Sequence, residues 1–115
     1  MMALVNVTNG KLLADDVAKA HCFLTRLKGL LFTRDFHYGQ ALHIQPCNQI
    51  HTLFMKYAID VLHLNESCEV VGIEENVRPG RVGRKFAGTV SVVELPSGTV
   101  NLTHTELGHK LSFFS

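Results

Sequence analysis

A nine-residue stretch near the middle of the chain, CNQIHTLFM, contains three side chains that could bind a metal or take part in nucleophilic catalysis. Cys47, His51 and Met55 recur at every fourth position. In a helix this spacing brings the thiol and the imidazole within about 6 Å at their Cβ atoms, close enough to share one ion or to work as nucleophile and base. In an extended strand the same spacing is about 13 Å, which prevents both. The preceding Pro46 and the β-branched and aromatic residues favour a strand, so we predict no metal site and no cofactor.

The same stretch and its neighbours still offer candidates for a reaction centre. A thiolate needs a base within about 3 Å, and on an extended backbone that base would come from another strand, as His43 or His63. Asp60 lies in the apolar segment YAIDVLHL, where a carboxylate is costly unless backbone N–H groups or a cation compensate it. Asp60 therefore either braces the strand or lies with His51 at the mouth of a cleft. The catalytic candidates are Cys47, His51 and Asp60.

A second region of interest is the segment RPGRVGRK, residues 78–85, called the basic loop below. It carries four positive charges in eight residues. Its glycines would let the backbone approach a phosphate closely, and its arginines would grip one. A mobile, solvated loop is the alternative interpretation. The predicted ligand-binding residues are His51, Thr52, Asp60, Arg78, Arg81 and Arg84.

Length and composition limit the class of protein. The chain has 115 residues, of which 46% are hydrophobic and 18% charged, values typical of one soluble domain over residues 1–115. No apolar run approaches the ~18 residues of a membrane-spanning helix, and no secretory signal is visible. Three widely spaced cysteines do not suggest a disulfide framework. We therefore expect a cytoplasmic protein without membrane contact. A net charge of +1 and the lack of tryptophan argue against nucleic-acid binding.

Hydrophobic periodicity predicts an α+β fold. An Asn-Gly turn at residues 9–10 is expected to join two short strands. Apolar residues at helical spacing, with an aspartate at the start and a glycine at the end, predict one main N-terminal helix over residues 15–29. Ser97 is expected to cap a short second helix. The rest is predicted to form a compact β-rich domain, mostly antiparallel and sandwich- or barrel-like, from strands at residues 40–44, 49–55, 59–64, 69–77, 89–95 and 109–114.

Three blocks of the sequence resemble the prokaryotic family DUF192, also called UPF0127. They are, in order along the chain, KGLLF (28–32), CNQIHTLFMKYAIDVLHL (47–64) and VVELPSGTV (92–100). The resemblance implies a compact β-rich fold with one or two helices, and it implies no particular biochemical activity. Two positions depart from the family pattern, because Ala58 stands where proline is frequent and His109 stands where aspartate is common.

Two functions from different classes fit these residues. The one we favour is a non-catalytic binding module for a small anionic ligand, a peptide or a protein partner. The alternative is a small hydrolase or transferase that uses Cys47 or His51. Side-chain directions distinguish the two. Convergence of Cys47, His51, Asp60 and Arg81 in one open pocket, with a base within reach of the thiol, would favour the enzyme.

Overall fold

Runs rich in valine, leucine and isoleucine form most of the strands, as the preference of these residues for a pleated backbone predicts. The structure is a computed structural model that describes residues 2–20, 36–53 and 55–115. The strands are β1 (Ala3–Asn6), β2 (Lys11–Ala20), β3 (Gly39–Ile44), β4 (Ile59–Leu64), β5 (Val70–Val77), β6 (Ser91–Pro96) and β7 (Leu111–Phe114). A single-turn helix, α1, spans Thr99–Leu102.

The seven strands form one sheet in the order β5-β4-β6-β3-β2-β1-β7. Neighbouring strands are antiparallel, except that β2 and β3 run parallel. The two edge strands meet at one corner. There Val70 N–H donates to the His109 carbonyl at 2.9 Å, and Leu111 N–H donates to the Cys68 carbonyl at 2.9 Å. The sheet therefore curls until its edges touch and has an interior and an exterior face.

The prediction of an α+β fold with a main N-terminal helix is wrong for the residues that the structure describes. Residues 15–20 lie in β2, hydrogen-bonded between β1 and β3, and residues 21–29 lie outside the described part. A register shift between Ala14 and Asp16 puts Ala14 and Val17 on the same buried face. The shift therefore produces a spacing of three that resembles a helical period. Pairing on both sides decided the conformation, because sheet context overrides a weak helical preference.

Both faces of the central strands are buried, which gives two apolar cores. Alternate residues of β4 separate between them, with Leu62 and Leu64 in the interior core and Ile59 and Val61 in the exterior core. Successive side chains of β4 thus point to opposite faces of the sheet. All six residues of β4 and all six of β6 are buried. The exterior core thus needs a cover. Two segments outside the strands supply it, the described residues of 45–57 and residues 78–86, and together they are called the exterior cover below.

The stretch after β3 is part of that cover, and the predicted strand over residues 49–55 is wrong. Residues 50–53 are irregular backbone with one isolated bridge, between His51 and Val82. Ile50 and Met55 are buried against the exterior core. An apolar segment with the amino-acid composition of a strand can pack on a sheet as a cover, since burial of its side chains does not require hydrogen bonding to a neighbouring strand. In its described residues the stretch is neither strand nor helix.

The turn before α1 also differs from its prediction. Gly98, with φ of 98°, is the N-cap residue of the helix and has no side chain of its own that could cap it. Ser97 instead donates from its hydroxyl to Asn76 Oδ1 at 2.9 Å. Glycine is needed at position 98 because a left-handed backbone conformation is costly for other residues. Within the described part of the chain, no helix is long and apolar enough to cross a membrane.

Candidate functional site

The thiol and the imidazole of the central stretch each bond to nearby backbone. Cys47 Sγ lies 3.3 Å from the carbonyl oxygen of Gln49. His51 Nδ1 accepts a hydrogen bond from Leu53 N–H at 3.2 Å. The irregular backbone thus turns both side chains toward their own segment. In the residues that the structure describes, no group of three or more His, Cys, Asp or Glu side chains could hold a metal ion.

Thr52 joins this stretch to the basic loop. The residue is fully buried. Its hydroxyl donates to the Arg78 carbonyl and accepts from Arg81 N–H at 2.9 Å. Its backbone N–H donates to the Arg81 carbonyl at 2.8 Å, and its carbonyl accepts from Gly80 N–H at 2.9 Å. With a longer contact of 3.4 Å from its hydroxyl to the Arg81 carbonyl, one residue makes five hydrogen bonds to residues 78–81, which fixes the backbone of that half of the loop.

The guanidinium groups of the loop extend outward from this fixed backbone. Arg78, Arg81 and Arg84 are all exposed. Among the side chains that the structure describes, none of the three lies within ion-pair distance of a carboxylate. Arg84 is additionally held near an aromatic ring, with its guanidinium carbon 5.2 Å from the centroid of Phe86. The arrangement concentrates unneutralised positive charge on a surface whose backbone is anchored.

The hydrogen-bonded pair of His63 and Glu74 fixes the other half of the loop. His63 was predicted only as a possible base for the thiol, and Glu74 was not predicted as a site residue. His63 Nε2 lies 2.9 Å from Glu74 Oε1, and the histidine side chain is fully buried. Glu74 Oε2 accepts from Arg84 N–H at 2.9 Å. The His63 ring packs against Phe86 with centroids 4.5 Å apart, and a Cβ at Gly72 would lie 2.2 Å from that ring. Gly72 and Glu74 are two residues apart in a predicted strand, and this spacing already indicated that they share a face of the sheet.

Asp60 lies elsewhere and has a structural environment. Its carboxylate is on the interior side of β4 and the residue is 1% exposed. Three backbone N–H groups donate to it, from Asn76 at 2.8 Å, Gly98 at 3.0 Å and Val100 at 2.9 Å. The expectation that backbone N–H groups compensate this carboxylate is confirmed. The structure thus brings His51 and Thr52 to the basic loop and keeps the Asp60 carboxylate away from the exposed rim.

Cys47 borders a shallow hollow of about 360 Å³, lined by Pro46, Cys47, Asn48, Thr89 and Val90. Thr89 Oγ1 lies 3.5 Å from His63 Nδ1 and donates to the Phe86 carbonyl at 2.8 Å. The hydroxyl that faces this hollow is therefore already engaged as a donor.

The family model DUF192, described as "Uncharacterized ACR", matches residues 4–113. A UPF0127 protein of Thermococcus sibiricus is 31% identical over 115 residues, which cover 96% of this chain and 73% of that protein. A UPF0127 protein of Pyrococcus furiosus is 31% identical over 113 residues, which cover 96% of this chain and 97% of that protein.

Two solved structures have the same fold. One is described as a putative transcription regulator from Sinorhizobium meliloti. It has a TM-score of 0.77 and 20% identity, over 97% of this chain and 91% of that one. The other is a protein of unknown function from Novosphingobium aromaticivorans, with a TM-score of 0.79 and 18% identity, over 96% of this chain and 82% of that one. At these identities the likeness concerns the fold alone.

Proposed function

This chain belongs to the DUF192 (UPF0127) family, and we propose that it is a non-catalytic binding module that holds a small anionic group on the basic loop. One observation carries the proposal. Three exposed arginines project from a loop whose backbone is held by the buried Thr52 at one end and by Glu74 at the other. The anionic group belongs to a small ligand or to a side chain of a peptide or protein partner.

Preorganisation is the physical reason for choosing the loop. Arginine recognises phosphate and carboxylate groups through paired N–H donors, and charge-assisted hydrogen bonds are about twice as strong as neutral ones. A ligand that binds an already ordered loop does not have to supply the ordering free energy. The fixed backbone therefore supports the binding interpretation of residues 78–85 over that of a mobile, solvated loop.

The proposal includes a reducing, cytoplasmic location and no cofactor. Cys47 and Cys68 are both thiols and half-buried, which supports a compartment that keeps thiols reduced. The description of the Sinorhizobium structure as a putative transcription regulator suggests DNA as an alternative anion. We do not extend the proposal to DNA, because four charges on one short loop form a small electrostatic footprint.

Calorimetric titration with inorganic pyrophosphate at low ionic strength tests the proposal. The variant Arg78→Gln/Arg81→Gln/Arg84→Gln should lose at least about tenfold in affinity, because each charge-assisted hydrogen bond contributes roughly 1.5–3 kcal/mol. Its free energy of unfolding should stay within about 1 kcal/mol of the parent, since exposed side chains contribute little to stability and the contact of Arg84 with Phe86 contributes about 0.5–1 kcal/mol. The matched control is Lys11→Gln/Lys56→Gln/Lys110→Gln, which removes the same charge from exposed positions elsewhere and should bind normally.

The variant Thr52→Val separates charge from preorganisation. It keeps all three arginines and removes the hydroxyl that bonds Arg78 and Arg81, so it should weaken pyrophosphate binding while preserving net charge. Equal loss of affinity in the arginine and lysine variants would contradict the proposal, as would undetectable pyrophosphate binding by the parent. Tight DNA binding with a steep salt dependence would replace it with a nucleic-acid function.

A small Cys-dependent hydrolase or transferase is the second candidate. Its support is that Cys47 borders the same hollow as Thr89, whose hydroxyl lies 3.5 Å from His63, the hydrogen-bonded partner of Glu74. Iodoacetamide should alkylate a catalytic Cys47 much faster than Cys68 in the native protein, because a reactive thiol is largely thiolate. Equally slow alkylation of both thiols would eliminate Cys47 as a nucleophile. The hydroxyl of Thr89 donates to backbone, which favours the binding module.

A further inference from the structure

A pocket of about 310 Å³ opens where several strands end on the interior face of the sheet, and we call it the mouth pocket. Its walls come from the C-terminal ends of β2 and β3, the N-terminal end of β6, the turn after β4, and β7. Pockets at the mouths of curled sheets are common ligand sites, and this volume lies at the small end of their range. The residues that line it include Lys19, His43, Glu66, Cys68, Ser91 and Phe113.

His43 forms the inner wall of this pocket. It is 9% exposed, and its ring stacks on Phe113 with centroids 4.5 Å apart. Its Nε2 atom is buried and has no hydrogen-bond partner within the described residues. Burial lowers the pKa of His43, and the positive charge of the neighbouring Lys19 lowers it further. The imidazole is therefore neutral at physiological pH and, stacked on Phe113, forms part of the lining of the pocket.

The charged groups of the mouth pocket are of opposite sign. Lys19 lies beside His43 in the register of β2 and β3, and Glu66 lies in the turn between β4 and β5. Both line the pocket and are exposed at its rim. With His43 neutral, one positive and one negative side chain remain, so the lining has no net charge. This differs from the basic loop, whose charges all have one sign.

We propose that the mouth pocket is a second binding site, for a small zwitterion with an apolar body, such as a free apolar or aromatic α-amino acid. Lys19 pairs with the carboxylate, Glu66 pairs with the ammonium group, and the apolar body lies against Phe113 and His43. A limited volume with an aromatic wall and two opposite rim charges suits a ligand of this size and polarity. The proposal does not depend on anion binding at the basic loop.

Titration of the full chain with L-phenylalanine, followed by amide shifts in a heteronuclear NMR spectrum, tests the site. Saturable shifts are expected for Cys68 and Ser91, which line the pocket, and not for Arg78 or Arg81. Two analogues remove one charge each. Phenethylamine lacks the carboxylate, 3-phenylpropionate lacks the ammonium group, and each should bind at least about tenfold more weakly than the amino acid.

Two variants make the test specific for the rim charges. Lys19→Gln should weaken phenylalanine binding and leave phenethylamine binding unchanged. Glu66→Gln should weaken phenylalanine binding and leave 3-phenylpropionate binding unchanged. Both positions are exposed, so both variants should fold. Lys11→Gln, an exposed lysine on the same strand as Lys19 that does not line the pocket, is the matched control and should bind phenylalanine normally.

Protection of Cys68 gives an independent measurement. Cys68 is one of the lining residues, so phenylalanine should slow alkylation of its thiol by iodoacetamide and leave the rate at Cys47 unchanged. The proposal is overturned if phenylalanine causes no saturable shifts at millimolar concentration. It is also overturned if either analogue binds as well as the amino acid, or if the two rim variants do not show the crossed pattern.

Discussion

The exterior cover of the sheet and the mouth pocket expose polar groups in opposite ways. On the exterior, the buried Thr52 and the half-buried Glu74 bond to the backbone of residues 78–84, and the arginine side chains stay exposed. In the mouth pocket, a neutral imidazole is itself buried, and single charges of each sign remain at the rim. The first arrangement is the basis of the proposed anion site, and the second is the basis of the proposed site for a small ligand without net charge.

The two proposals assign two kinds of recognition to one sheet. Both faces of β3, β4 and β6 are buried, so residues of one strand serve both regions. On β4, His63 faces the exterior cover, while Asp60 faces the interior. Alternation along a strand separates the two environments by a single residue. Substitutions on the strands should therefore affect one region and not the other.

The largest effect is expected at Asp60, which anchors the interior side. In Asp60→Asn an amide N–H group would face at least one of the three backbone donors. We expect a loss of about 2–3 kcal/mol in the free energy of unfolding, because a buried hydrogen bond to a charged group is lost and its donor is left unsatisfied. Urea denaturation measures this loss in the free energy of unfolding. Asp16→Asn, on the exposed side of β2, should change stability by less than about 0.5 kcal/mol. Equal stability of the two variants would show that Asp60 is no anchor.

A smaller loss is expected at Gly72, under the exterior cover. In Gly72→Ala the new Cβ would lie 2.2 Å from the Phe86 ring, so the ring must move away from His63. Overpacking of this kind destabilises by about 1–3 kcal/mol. The measurement is a double-mutant cycle with Phe86→Ala. If the clash is the cause, most of the cost of Gly72→Ala disappears in the Phe86→Ala background. An unchanged cost would point to backbone strain instead. Binding at the mouth pocket should be unaffected throughout.

The smallest effect is a pH dependence that arises in the mouth pocket. The pKa of His43 is lowered from its ordinary 6.5 by burial and by Lys19. Below pH 6.5 the unfolded chain therefore takes up a proton that the folded protein does not, so stability falls as the pH drops toward the lowered pKa. Between pH 6.5 and the lowered pKa of His43, the free energy of unfolding should fall by about 1.4 kcal/mol per pH unit. In His43→Phe this loss of stability should be absent.

Urea denaturation at a series of pH values compares the parent with His43→Phe. The variant Lys19→Gln removes the second cause of the lowered pKa of His43. In this variant the pKa of His43 should rise toward its ordinary value, and the pH range over which stability falls should become narrower. Identical slopes of stability against pH in the parent and in His43→Phe would show that the imidazole titrates normally in the folded state.

Strands whose side chains alternate or stay apolar could be predicted from the sequence, and this holds for most of β1, β3, β4, β5, β6 and β7. The Asn-Gly turn was predicted as well, with Gly10 at φ of 78°. The environment of Asp60 could also be predicted in part, because a carboxylate within an apolar strand needs hydrogen bonds. The pair His63–Glu74 could not, since the partners lie on different strands and only the register of β4 and β5 brings them together.

The sequence by itself determined which segments are apolar enough to be buried, which residues carry charge, and the family to which the chain belongs. Only the tertiary structure decided that residues 15–20 form a strand and that residues 50–53 are part of a cover without ladder pairing. It also decided that His43, Lys19 and Glu66 border one pocket. The reason is that local preferences differ by less than about 1 kcal/mol per residue, whereas pairing between distant strands satisfies many backbone groups at once. Such contacts depend on register, which no single segment encodes.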